Sequence, residues 1–302
     1  MTMHGKARHM TRGLYWAVLA AALLGVVAQV EAASLKVSPA RFIVHDVHPG
    51  VQYDIYKETG LRITVFNDDD TERAWLLSVH RPSERGTWER GYAEIPDASW
   101  CWFDRSEVTV PPKGIAYAHL FLRVPEEEKF LNQRWVVTLG VDGKPGAGGI
   151  ALAADIRVQI ETKSAADVKQ EPDGPLGTVP SILQLEGMTP GALEKKSVTL
   201  YNNDTKAHSY TITPLFSDPA IEQSVYLTHS FETLPDPKWI TFPEKISIAP
   251  GHTGTLDLEV WVPNGAAHSG KKWESVLLIQ PDEGRAGFVR VRSIMKETEK
   301  TE

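Results

Sequence analysis

Residues 95–135 read IPDASWCWFDRSEVTVPPKGIAYAHLFLRVPEEEKFLNQRW, and residues 234–273 read LPDPKWITFPEKISIAPGHTGTLDLEVWVPNGAAHSGKKW. The second stretch is a copy of the first. Pro96, Asp97 and Trp100 match Pro235, Asp236 and Trp239 without a gap. After deletion of one residue, Val124-Pro125 aligns with Val262-Pro263 and Trp135 with Trp273. The repeat is too long for a solenoid, so it predicts a duplicated domain. Matching pieces continue outward on the N-terminal side. Pro49-Gly50 has its twin in Pro190-Gly191. Arg62–Asn67 (RITVFN) has its twin in Ser197–Asn202 (SVTLYN), each alternating apolar and polar before a turn composition, NDDDT or NNDT.

The alternation specifies strands. Ala118, Leu120, Leu122 and Val124 point one way, as do Leu256, Leu258, Val260 and Val262, with mostly polar residues between them. That is the pattern of a half-buried antiparallel strand. In the run from Ile150 to Glu161 every even position from 150 to 160 is apolar, including Ile150, Leu152 and Ile156. Pro39 interrupts Leu35–Asp46, which predicts an edge strand that bends or switches partner. No sustained helical periodicity appears, and turn residues recur every few positions. About seven short strands in a copy of about 120 residues predict an immunoglobulin-like sandwich. The fold class is therefore all-β, two tandem immunoglobulin-like β-sandwich domains. The boundaries are a first domain at 35–163, a polar Pro/Gly-containing linker at 164–179, a second domain at 180–296 and a polar tail at 297–302.

At the N-terminus Lys6, Arg8 and Arg12 precede the apolar run Leu14–Val30, and Ala32 and Ala33 follow it. This is the pattern of a signal peptide over residues 1–32, cleaved after Ala32 or Ala33. The other reading of a run this long is an uncleaved anchor. No later run approaches spanning length, so the mature chain is expected to have no membrane span and to sit in the periplasm or outside the cell. The chain holds 39 acidic and 32 basic residues, a net charge of -7. That balance does not favour nucleic acid or anionic membranes as partners. The single cysteine, Cys101, rules out an intrachain disulfide.

No motif for catalysis, a metal or a cofactor stands out. The carboxylates of Asn67-Asp68-Asp69-Asp70 are adjacent in a tight turn and lack EF-hand spacing. The glycines of Lys144–Gly149 precede a strand, not a helix that would hold a phosphate. Cys101 corresponds to Ile240 in the second copy, which predicts a buried small hydrophobe. Strand alternation would place Trp100 and Trp102 on one face and Cys101 with Phe103 on the other. The copies differ most in one loop, Arg81–Tyr92 against Ser217–Thr233. Trp88 and Tyr92 are its apolar residues in the first copy and are candidate contact residues, because loops carry specificity on a shared scaffold. Trp75, Trp88, Trp102 and Trp261 have no counterpart in the other copy, which leaves carbohydrate binding as a further reading.

With its PG turn, N-[DN]-D turn, P-D-x-x-W, V-P and later Trp, each copy resembles the Ig-like domain of bacterial WxL-interacting surface proteins. That resemblance implies peptidoglycan as a partner. The first copy also resembles the N-terminal domain of periplasmic pilus-assembly chaperones, through Arg41 in SPARFIV, Arg157 in ADIRVQIE and the strand Ile150–Ile160. This second resemblance implies that Arg41 and Arg157 grip a client carboxylate, while Ile150, Leu152 and Ile156 complete the client by strand addition. The expectation is an exported, non-catalytic protein that binds another envelope or surface protein or peptidoglycan, without a cofactor. A chaperone-like role and a carbohydrate-binding module are the alternatives.

Overall fold

The computed structural model describes residues 35–144, 152–169, 175–215 and 225–297. The expected signal at 1–32, the hairpin glycines after Lys144 and Ile150 lie outside the described residues. So do residues 170–174 of the linker, 216–224 of the second loop and all but the first residue of the tail.

The chain forms two β-sandwiches. The first is built from β1 (Leu35–Ser38), β2 (Arg41–Val47), β3 (Gln52–Asp54), the short helix α1 (Ile55–Thr59), β4 (Ile63–Asn67), β5 (Arg73–His80), β6 (Ala93–Glu94), β7 (Cys101–Phe103), β8 (Glu107–Val110), β9 (Ile115–Ala118), β10 (Leu120–Arg123), β11 (Arg134–Gly143) and β12 (Ala153–Thr162). One layer has the order β2-β12-β11-β5-β8, with β6 beside β11; facing it are β1-β4-β9 and β3-β10-β7. The second is built from β13 (Leu176–Val179), β14 (Ile182–Met188), β15 (Leu193–Asn202), β16 (His208–Pro214), β17 (Glu232–Thr233), β18 (Ile240–Thr241), β19 (Lys245–Ile248), β20 (Thr253–Trp261), β21 (Lys272–Pro281) and β22 (Gly287–Met295). Its layers are β14-β22-β21-β16-β19, with β17 beside β21, and β13-β15-β20-β18.

The strand that switches partner occurs twice. β1 pairs antiparallel with β4 in one layer; the chain then passes Pro39, and β2 pairs parallel with β12 in the other. β13 pairs with β15, the chain passes Pro180, and β14 pairs parallel with β22. Both prolines follow a cis peptide bond. Leu176–Val179, expected in the linker, is therefore the first strand of the second sandwich. Its side chains are buried, and its backbone groups are satisfied by the β15 ladder.

Each repeated motif has one structural job. Asp97 caps a 3-10 turn at Ala98–Trp100 by accepting from the Ser99 N–H at 2.8 Å, and Asp236 does the same for Lys238 at 2.9 Å. This turn overturns the expected face-sharing of Trp100 and Trp102, because strand alternation begins only at Cys101. Trp100 turns inward and meets Trp135 edge-on at 5.5 Å, while Trp102 turns outward and stacks on Phe121. Trp239 meets Trp273 edge-on at 5.6 Å. The Asn of each turn is a clasp. The buried Asn67 amide donates to the carbonyls of Thr71, Val110 and Pro111, and its oxygen accepts from the Asp69 N–H. Asn202 makes the equivalent four bonds, to Lys206, Ile248, Ala249 and Asp204. The turn is thus held by amide bonding, and Asp69 pairs with Arg73 at 2.7 Å.

Cys101 is buried in the first core, and burial pushes its thiol up to about 12. We expect Cys101 to be silent towards a thiol-reactive chromogenic disulfide in the native protein and to react fully in denaturant. Rapid native reaction would show that this edge of the core opens.

His208 makes the second sandwich pH-sensitive. Its ring sits between Asp204 (Nε2, 2.9 Å) and Asp282 (Nδ1, 2.7 Å), so both nitrogens face carboxylates and both donate only in the imidazolium. The hydrogen bond to Asp204, then that to Asp282, raises the His208 pKa, and the same bonds lower both aspartates. A raised histidine stabilises fully below its ordinary value of about 6.5, and this contribution is lost as pH rises through the folded-state pKa. Melting temperature should therefore fall from pH 6 toward mildly alkaline pH, and His208→Asn should flatten that decline. An unchanged slope in the variant would refute the assignment.

Candidate partner-binding surface at the seam between the sandwiches

A third hydrophobic cluster joins the two sandwiches: Tyr92 and Val136 from the first, Leu215, Val225, Val276, Leu278 and Phe288 from the second. Beside it lies a buried ionic network. Arg290 is wholly inaccessible and grips Glu161 of the first sandwich with Nε and Nη2, each at 2.6 Å. Its Nη1 donates to Glu274 at 2.7 Å and to the Tyr226 carbonyl at 2.8 Å. Glu274 also accepts from Arg292, the Thr228 hydroxyl and the Thr228 N–H. Tyr92 donates its hydroxyl to Glu161 at 2.6 Å. Arg134 lies over the Phe288 ring and donates to the Ser181 carbonyl at 2.7 Å.

The electrostatics follow from these contacts. Burial alone would raise the Glu161 pKa, but the charge and hydrogen bonds of Arg290 outweigh it and hold Glu161 well below the usual carboxylate range. Burial would also lower Arg290, yet Glu161 and Glu274 raise it. Arg134, where burial dominates, drops to about 10 and stays charged at neutral pH. Burial and then the Glu161 charge push the Tyr92 hydroxyl well up.

The linker is tied into this seam. Asn132, buried with φ 60°, donates to the carbonyls of Ala165 and Val168 and accepts from the Ser164 hydroxyl and the N–H groups of Ala165 and Ser181. Its side chain thus links the end of the first sandwich, the linker and the start of the second.

The residues singled out from sequence fall into three places. Arg41 and Arg157 are register partners on the parallel strands β2 and β12. Their guanidinium groups approach the same Glu89 carboxylate oxygen, at 3.7 Å and 2.6 Å, and Arg41 also donates to the Tyr226 hydroxyl at 2.6 Å. The carboxylate they hold belongs to this chain. Trp88 is 43% exposed, with the Arg285 guanidinium of the second sandwich 3.7 Å from its ring centroid. Tyr92, expected on a contact loop, is 2% exposed in the inter-sandwich core; the loop folds back so that the hydroxyl reaches Glu161. Ile156 is fully buried in the first sandwich, and Leu152 packs partly buried against the same core. Ile150 lies outside the described residues.

Sequence reading missed Glu89, Glu161, Glu274 and Arg290. One signal was available for Arg290. It faces Val276 across β21 and β22 as Arg157 faces Thr138 across β11 and β12, so Arg157 and Arg290 stand at equivalent positions of the two sandwiches. One ended near the surface and the other in the seam.

No family model matches this chain. No curated protein matches it either. Among solved structures, it is similar to a Porphyromonas gingivalis W83 protein of unknown function, at 14% identity and TM-score 0.34, covering 86% of this chain and 99% of that one. It is similar to the E. coli chaperone DraB at 12% identity and TM-score 0.31, covering 86% and 98%. It is also similar to the class 5 fimbriae chaperone CfaA at 10% identity and TM-score 0.33, covering 85% and 99%.

Proposed function

We propose that the chain is an exported, non-catalytic binding protein of the bacterial cell envelope, acting as one two-sandwich body that contacts another envelope protein or peptidoglycan. One observation carries this reading: the ionisable groups of the seam are enclosed. Glu161, Arg290, Arg134 and Tyr92 are sealed in the seam, where no substrate reaches them, and each already has a structural partner. Enzymes place such groups in an accessible cleft. The rim of the seam carries the exposed Trp88, beside Arg157 and its partner Glu89. The test compares co-sedimentation of the tagged mature protein with purified sacculi against its recovery of envelope proteins. Trp88→Ala should lower recovery about tenfold at unchanged melting temperature. Equal recovery of variant and parent on both supports would remove Trp88 from the contact.

A second reading, strand addition, draws on the extent of pairing: β2 covers β12 only from Arg157 onward, so Ala153–Ile156 extends past its end. Ile156→Thr separates the two. If Ile156 serves the chain's own core, the variant loses about 2–4 kcal/mol. A fold of unchanged stability with lost client capture would favour strand addition.

A further inference from the structure

The duplication supplies an internal control for surface residues, because register fixes which positions correspond. Asn67 and Asn202 are equivalent clasps. Tyr117 faces Thr64 as Thr255 faces Thr199, and Trp102 faces Phe121 as Thr241 faces Glu259. On the solvent side of β7, β9 and β10 the first sandwich therefore carries Trp102, Tyr117, His119 and Phe121 where the second carries Thr241, Thr255, Asp257 and Glu259. Arg62 likewise stands where Ser197 does. In the second copy the middle of this face is polar, with Ser197 bonding Asp257 at 2.7 Å and Lys195 pairing with Glu259. The exposed Leu193 and Trp261 pair with one another at its far end, Trp261 standing where the first copy has Arg123. Among the described residues α1 occurs in the first copy alone, and it sets Tyr56 against Arg62 and against the His119 ring, with centroids 4.8 Å apart. The strands beneath it pair as in the second copy, so strand pairing does not require Trp102, Tyr117 and Phe121 to be aromatic.

The face of the first sandwich is apolar and cationic. Ile115 is 44% and Tyr117 40% exposed. The Arg62 guanidinium lies 4.5 Å from the Tyr56 ring centroid and 4.6 Å from that of Tyr117. Arg123 and Lys36 are exposed on the same side, with Lys36 over Phe66. Asp257 and Glu259 of the second copy's face have no acidic counterpart here, in a chain whose net charge is -7. Asp54, which stands in place of Lys195, is taken up in accepting from the Tyr56 and Lys57 N–H groups and in pairing with Lys57. Such a patch on an acidic protein complements an acidic surface.

Tyrosine, tryptophan and arginine are the side chains that dominate protein–protein hot spots. A sugar needs open ring faces to stack on. Here Trp102 and Phe121 cover one another, stacked at 5.7 Å with 13° between planes, and Arg62 lies against both tyrosines. We propose that this face of the first sandwich docks the acidic surface of a second, different envelope protein, an assignment that rests on the binding-protein reading above.

The test places a photo-crosslinking phenylalanine analogue at Ile115 or Tyr117 of the full chain in its own cells. Matched controls carry it at Thr253, Thr255 and Trp88. The expected result is a single protein adduct from positions 115 and 117 that is absent from 253 and 255. Its yield should fall at least about tenfold in Arg62→Glu/Arg123→Glu at unchanged melting temperature. The purified partner should bind with a Kd that weakens about tenfold in Tyr117→Ala and weakens further as salt rises. Adducts to a second copy of this chain, identical adducts from both sandwiches, or retention on polygalacturonate that Tyr117→Ala abolishes would each overturn the proposal. Adducts at Trp88 alone would remove this face and leave the binding reading standing. No adduct at any position would remove both.

Discussion

Replacing Arg290 by alanine is expected to destabilise the folded chain by about 3–5 kcal/mol, read from urea unfolding at neutral pH. The deletion would leave Glu161 and Glu274 buried, charged and stripped of their shared partner. It would also leave the Tyr226 carbonyl without its donor. The loss is the cost of taking the shared cation from two buried carboxylates, which keep Tyr92 on Glu161 and Arg292 and Thr228 on Glu274. It is not the net worth of the ion pairs, because desolvation offsets much of the Coulomb gain in the intact network. That distinction has a testable consequence. Arg290→Met combined with Glu161→Gln should recover part of the loss, since Glu161 is then neutral and Glu274 keeps Arg292 and Thr228 as partners.

The pH dependence has a definite sign. In the parent chain Glu161 and Glu274 are both lowered, so their contribution is present above the ordinary carboxylate range and lost as pH falls through the depressed values. Without Arg290 burial dominates, the carboxylates rise, and the variant becomes relatively more stable as they protonate. The gap between parent and Arg290→Ala should therefore narrow from pH 7 toward pH 4. A gap below about 1 kcal/mol at neutral pH would mean that water enters the seam and solvates the carboxylates.

The second large effect lies in the tryptophan pairs. Trp135→Ala and Trp273→Ala should each cost about 3–5 kcal/mol, because both rings are buried and each supports an aromatic triad. Trp135 meets Trp100 and Phe130 at 5.5 and 5.8 Å; Trp273 meets Trp239 and His268 at 5.6 and 5.5 Å. Trp239 is only partly buried, so Trp239→Ala should cost less than Trp273→Ala. The comparison is made by calorimetry of the single variants. If the order is reversed, the second copy is held by its rim and not by its core.

Proximity of the two cores makes these effects interdependent. Leu277 belongs to the second core, while its neighbours Val276 and Leu278 belong to the seam. Alternate residues of β21 thus pack on opposite faces, as strand geometry requires. Loosening one face of that strand transmits to the other, so variants at Trp273 and Arg290 should be non-additive.

Sequence alone determined what is local or repeated. Strand alternation identified the buried faces of 118–124 and 256–262, and all eight named apolar residues are buried. Composition identified the turns, and Pro39 marked the switch of partner. The twin switch at Pro180 was legible too, since Leu35 and Pro39 match Leu176 and Pro180 in spacing, but the polar residues before it drew the boundary too late. Trp100 was misplaced because a capped 3-10 turn breaks a period-two argument over a single residue.

Only the tertiary structure decided the seam. Glu161 reads as one more polar residue on a strand, and Arg290 as one more alternating charge; nothing in their neighbours says that they meet across 129 positions. Whether an outward-facing residue meets water or another sandwich depends on how the two sandwiches pack, and alternation carries no record of that packing. The same limit separated Arg157 from Arg290, which stands at the equivalent position of the other sandwich, and the exposed Tyr117 from the buried Tyr92. Local periodicity specifies which side of a strand a residue takes, whereas long-range packing specifies what that side touches.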